Sequence, residues 1–101
     1  NGYGQLGRGM TISAPSAAPA GSRADVTGRL LSIDPACVGS QRVALRVLRP
    51  TGIPTRDTMT SATGRYVFTV RIERATVVRV VHPEDASCER VRSKRRTIAP
   101  N

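Results

Sequence analysis

Between Arg65 and Ile72 the chain alternates almost without a break. Tyr66, Phe68, Val70 and Ile72 fall on one side, and Arg65, Val67, Thr69 and Arg71 on the other. Successive side chains of an extended strand point to opposite faces of a sheet, so a period of two predicts a half-buried strand with one face on a core. Residues 41–48 repeat the pattern, with Val43, Leu45 and Val47 opposed to Arg42, Ala44 and Arg46. Residues 26–33 read as a strand ended by Asp34 and Pro35, and residues 55–60 as a weaker edge strand. Residues 75–81 are more continuously apolar, suit a central strand, and stop at Pro83, Glu84 and Asp85. The very basic stretch 88–98 reads as an outer strand closing the sheet. Six or so strands, no helical period and no internal repeat predict an all-β sandwich.

The chain has 101 residues, enough for one domain with a modest core. Residues 1–23 differ from the rest: glycines crowd the start, and a Pro/Ala/Ser stretch without periodicity follows. Such a segment reads as a flexible tail or linker, with the sandwich domain at 24–101. The first residue, Asn1, reads as the start of a processed or excised piece. No apolar run approaches the ~20 residues that cross a bilayer as a helix.

Cys37 and Cys88 are the only cysteines. Their spacing is far from a redox Cys-x-x-Cys pair, and two cysteines with one histidine make a poor zinc site. Both stand in polar, turn-like surroundings, whereas an inert core thiol would sit among apolar residues. A disulfide is expected, and with it an oxidising compartment, secreted or cell-surface.

The charge is lopsided, +9 at pH 7, and Lys94 is the one lysine among sixteen basic residues. The arginine preference reads either as coding bias in a G+C-rich genome or as an anion-binding surface, and the net charge acts whatever its origin and draws polyanions. The densest basic run is Arg90, Arg92, Lys94, Arg95 and Arg96. On a strand, Arg90, Arg92, Lys94 and Arg96 would share one face at about 7 Å spacing, a ladder able to track an anion. The competing reading is a solvated edge whose charge blocks edge-to-edge aggregation. Specific nucleic-acid binding is disfavoured, because no aromatic residues interleave with the charges. His82, before Pro83, reads as a solvated turn histidine, and its nearness to Asp85 and Ser87 in sequence does not make a triad. Glu84 and Asp85 fall short of a calcium site. No catalytic residue, metal ligand or cofactor motif is expected.

Four segments carry a family resemblance: Val26-Thr27-Gly28-Arg29-Leu30, Val43-Ala44-Leu45-Arg46-Val47, the run from Thr58 to Phe68 with its G-x-Y-x-F element, and Val77-Val78-Arg79-Val80. Together they resemble the carboxypeptidase-regulatory-like family, a prealbumin-like (Ig-like, starch-binding-like) β-sandwich of about seven strands. The cysteine pair is similar to that of secreted bacterial members. The G-x-Y-x-F element has a physical basis: Gly64 can take a positive φ in the turn, and Tyr66 and Phe68 then point together into the core. Separately, Asn1-Gly2-Tyr3-Gly4-Gln5-Leu6-Gly7-Arg8-Gly9 resembles part of a regulator-of-chromosome-condensation propeller repeat. The first resemblance implies a non-catalytic extracellular spacer or binding module that serves neighbouring domains or other proteins. Carbohydrate binding, or polyanion binding through the Arg90–Arg96 run, stands as the alternative. Tyr3 is the one aromatic outside the expected core able to serve a sugar platform.

Overall fold

The computed structural model describes residues 8–84 and 88–101. They form nine strands and no α-helix: β1 (Arg8–Met10), β2 (Ala17–Ala18), β3 (Ser22–Ser32), β4 (Arg42–Arg49), β5 (Arg56–Met59), β6 (Arg65–Ile72), β7 (Thr76–His82), β8 (Val91–Arg92) and β9 (Arg96–Pro100). A smaller sheet runs β1-β3-β6, and a larger one runs β2-β9-β7-β4-β5 with β8 paired to β7. The fold is all-β.

The alternations produce the core. On β6, Tyr66, Phe68, Val70 and Ile72 are buried while Arg65, Val67 and Arg71 are exposed. On β4, Val43 and Leu45 face inward. These residues join Val26 of β3, Val78 and Val80 of β7 and Ile98 of β9 in one apolar cluster drawn from both sheets. Each such side chain contributes roughly 1.5–3 kcal/mol on burial. Gly64 adopts φ +87°, and a Cβ there would stand 2.6 Å from the carbonyl oxygen of Leu30, so the turn into β6 requires glycine.

Residues 8–22 do not behave as a linker. β1 pairs antiparallel with the end of β3, Ser13 exchanges backbone hydrogen bonds with Thr27 at 2.7 and 2.9 Å, and β2 lies parallel to β9. Ile12 and Ala18 are buried in the common core. The segment therefore begins on the smaller sheet and ends on the larger. Its backbone supplies the pairing, which needs no side-chain periodicity.

The stretch 88–98 is likewise not one strand. β8 pairs with Val81 and His82, β9 pairs with Thr76 to Val78, and Ser93 lies between them. Ser93 is buried: its amide donates to the Val80 carbonyl at 2.9 Å, its Oγ accepts from the Val80 amide at 2.9 Å, and it donates to the Lys94 carbonyl. This exchange with one residue of β7 breaks the two-residue rhythm that a continuous arginine ladder would need.

Cys37, at the end of a 3-10 turn over Pro35–Cys37, is joined to Cys88 with a Cα–Cα distance of 5.7 Å. Both cysteines are buried. The bridge ties the β3–β4 connection to the segment leading into β8. Among the described residues, no helix is long and apolar enough to cross a membrane.

Candidate anion-binding site

β7 reads Thr-Val-Val-Arg-Val-Val-His, a valine strand interrupted by one charge. Val78 and Val80 point into the core, which turns Arg79 to the outer face of the larger sheet. There its register partner on β4 is Arg46, so two guanidinium-bearing residues stand directly opposite across neighbouring strands. Opposed side chains in such a pair have Cβ atoms about 4.5–5.5 Å apart, and like charges there repel. On the other side of β7, Arg92 of β8 stands opposite Val81, and Arg95 lies in the connector between Ser93 and β9.

Arg79 is half-buried, and its Nε is sealed from solvent with no hydrogen-bond partner among the described residues. Its pKa is held below the ordinary guanidinium value, first by burial and then by the charges of Arg95, Arg92 and Arg46. Among the described residues the one ion pair is Arg42 Nε–Asp57 Oδ2 at 4.0 Å, and none involves these four arginines. A polar N–H removed from water without an acceptor costs about 1–3 kcal/mol, more for a charged group. A bound anion would satisfy both the missing acceptor and the missing countercharge.

Of the five basic residues singled out in sequence, the structure brings Arg92 and Arg95 to this cluster. Arg90 is exposed ahead of β8, and Lys94 is exposed with its carbonyl taken by Ser93. Arg96 stands opposite Val78, a core position, and its Nη2 donates to the Ile12 carbonyl at 3.5 Å. Two members escaped the sequence reading. Arg46 was visible as an outward residue of β4, and Arg79 as the lone charge in a valine run, but only cross-strand register joins them.

The other candidates resolve differently. His82 is no solvated turn residue: it is the last residue of β7, buried, with Nε2 3.1 Å from Gln41 Oε1. Its place on the inward face of a central strand removes it from water. Glu84 is exposed. Asp85, Ser87 and Tyr3 lie outside the described residues, as do residues 1–7 of the propeller-like motif. A cleft of about 400 Å³ lies at the β4–β5 and β6–β7 turns, lined by Pro50, Ile53, Arg71, Glu73, Arg74 and Thr76 among others. Glu73 supplies a carboxylate to that cleft, which makes it a weaker anion site than the face around Arg79.

No family model matches the chain, and no curated protein matches its sequence. In structure it is similar to a superoxide reductase (neelaredoxin) from Ignicoccus hospitalis. A single-substitution variant of that protein aligns with TM-score 0.71 at 12% identity over 100% of this chain and 87% of that one. A second chain of the reductase aligns with TM-score 0.70 at 13% identity over 100% and 88%. The sulfur carrier protein SoxY from Chlorobium limicola f thiosulfatophilum aligns with TM-score 0.60 at 18% identity over 91% and 78%. At these identities the likeness shows the fold alone.

Four expectations are corrected. The chain's fold is shared with these proteins, and neither the carboxypeptidase-regulatory-like resemblance nor the propeller resemblance holds. In place of a propeller blade, β1 adds to the edge of β3. The carbohydrate-binding alternative came with the first resemblance and goes with it. So does the reading of a non-catalytic spacer or binding module, since proteins sharing this fold include a superoxide reductase, an enzyme by its name.

Proposed function

We propose that this chain binds an anionic ligand on the outer face of its larger sheet, with Arg79 at the centre and Arg46, Arg92 and Arg95 around it. The observation that carries this reading is the sealed, unpartnered Nε of Arg79 among three further guanidinium ions. Crowding like charges on a half-buried arginine destabilises the free protein, and an anion relieves that cost on binding. Arginine suits the task, since its planar fork stays charged and matches oxyanions with paired donors. The exposed Arg90 and Lys94 add to the field that draws the ligand in.

The fold neighbours suggest superoxide reduction as a second reading, but the residues present do not fit it. Such a reaction needs an electron-donating centre. The chain has one histidine and both its cysteines are joined, and no group of three His, Cys, Asp or Glu among the described residues could hold a metal. No step through such a centre is derived.

The same proposal takes the two sheets as the layers of a β-sandwich, supported by the single core cluster they share. It places the chain in an oxidising compartment, secreted or cell-surface, supported by the disulfide.

The test is thermal unfolding in a panel of anions at constant ionic strength, for the native chain and for Arg79→Gln. The reading expects a midpoint that rises with a preferred anion in the native chain and not in the variant. Equal rises in both would overturn it.

A further inference from the structure

We infer that the ligand is a compact oxyanion with two or more negative charges, of the phosphate-ester or pyrophosphate class. The inference rests on the anion-binding reading above and names its ligand.

The charges gather beside Arg79, with Arg46 opposite it in register and Arg92 opposite Val81, the next outward position of β7. Arg46, Arg79, Arg92 and Arg95 come from β4, β7, β8 and the β8–β9 connector, and the charges of the other three all act on Arg79. Adjacent strands lie about 4.8 Å apart, so the row from Arg46 through Arg79 to the far side of β7 spans on the order of 10 Å. A linear polyanion is matched by cations in file along its length. Here the would-be file is interrupted. Arg42, the previous outward arginine of β4, is tied to Asp57 Oδ2 at 4.0 Å. Arg96 reaches instead toward the Ile12 carbonyl. Arg49 stands opposite Val77, beyond the register shift that interrupts β4 after Val47. The positions bordering the cluster along β4 and β7 are Ala44, Val77 and Val81, which carry no charge.

The donor count sets the ligand's charge. Each guanidinium offers five N–H donors and no acceptor, so four of them surround a species rich in oxygen lone pairs. A singly charged ion would leave most of the mutual repulsion standing, whereas a phosphate group or a pair of them offsets it. Among the described residues nucleobase recognition has no support, because both aromatics there, Tyr66 and Phe68, are buried in the core.

The experiment is calorimetric titration of the full chain with pyrophosphate at fixed ionic strength, beside a heparin oligosaccharide as the extended polyanion. Saturable one-to-one binding of pyrophosphate is expected, weakened about tenfold or more in Arg79→Gln and in Arg95→Gln, and unchanged in Arg42→Gln; loss of one charge-assisted hydrogen bond has that size. Arg95 is exposed in a connector, so its variant tests the site even where Arg79→Gln fails to fold. Heparin binding that depends on Arg79 and Arg95, with pyrophosphate inert, would overturn this inference and leave the anion-binding reading standing. Binding of both ligands independent of Arg79 and Arg95 would overturn both.

Discussion

Tyr66 donates its hydroxyl to the backbone carbonyl of Thr11 at 2.6 Å, reaching across β3 at Gly28. The most legible strand of the sequence is thereby tied to the segment that reads least like structure.

Gly28 makes that contact geometrically possible. A Cβ at this position would stand 2.1 Å from the Thr11 carbonyl oxygen and 2.3 Å from the Tyr66 hydroxyl, one of them backbone. Gly28→Ala is expected to lower stability by about 3 kcal/mol, the size of an overpacked core site, while Tyr66→Phe costs about 1 kcal/mol for the lost hydrogen bond. Urea unfolding of the two variants checks the order; equal losses would contradict it.

Burial also pushes the Tyr66 phenol above its ordinary value of 10.0. The folded chain then keeps a proton that the unfolded chain releases at about pH 10. Its contribution is present in full below that pH and is lost as pH rises further. Tyr66→Phe should flatten the alkaline limb of a stability-against-pH profile, and an unchanged limb would refute the assignment.

The disulfide closes a loop of 51 residues in sequence separation. In the chain-entropy account this contributes about 4 kcal/mol, a large share of the stability of so small a domain. Cys37→Ser with Cys88→Ser should shift the urea midpoint accordingly. A change below about 1 kcal/mol would mean that the β3–β4 connection is held by other contacts.

The arginine cluster carries a cost while its charges stand uncompensated. Removing the central charge in Arg79→Met should raise the stability of the free protein by roughly 0.5–1 kcal/mol at low ionic strength, with the gain shrinking as salt screens the repulsion. Chemical denaturation at two salt concentrations measures it. A loss of stability would show that Arg79 contributes more by packing than it costs by charge.

How far the sequence could be read follows from what each element rests on. β4 and β6 announce themselves because one face is core and the other water, so Val43, Leu45, Tyr66, Phe68 and Ile72 carry the period in their side chains. β1 and β2 carry none: backbone hydrogen bonds hold residues 8–18, and Ile12 and Ala18 are too few to make a pattern. Ser93 conceals the break between β8 and β9, since a buried serine satisfied by one backbone residue looks in sequence like any surface serine. The basic run predicts an arginine ladder along one strand, and the break at Ser93 between β8 and β9 does not allow one. What assembles the site is the pairing of Arg46 with Arg79, and register between β4 and β7 cannot be read from either strand alone.

The parallel pairing of β2 with β9 bears on how the molecule comes together in time. Ala17 and Ala18 lie beside Ala99 and Pro100 with most of the chain between them, and β9 also lines one flank of β7. The larger sheet therefore stays two strands short until β9 is in place. Contacts so remote in sequence reward the chain only after a long loop has closed, which makes assembly slow beside a helical domain of equal size.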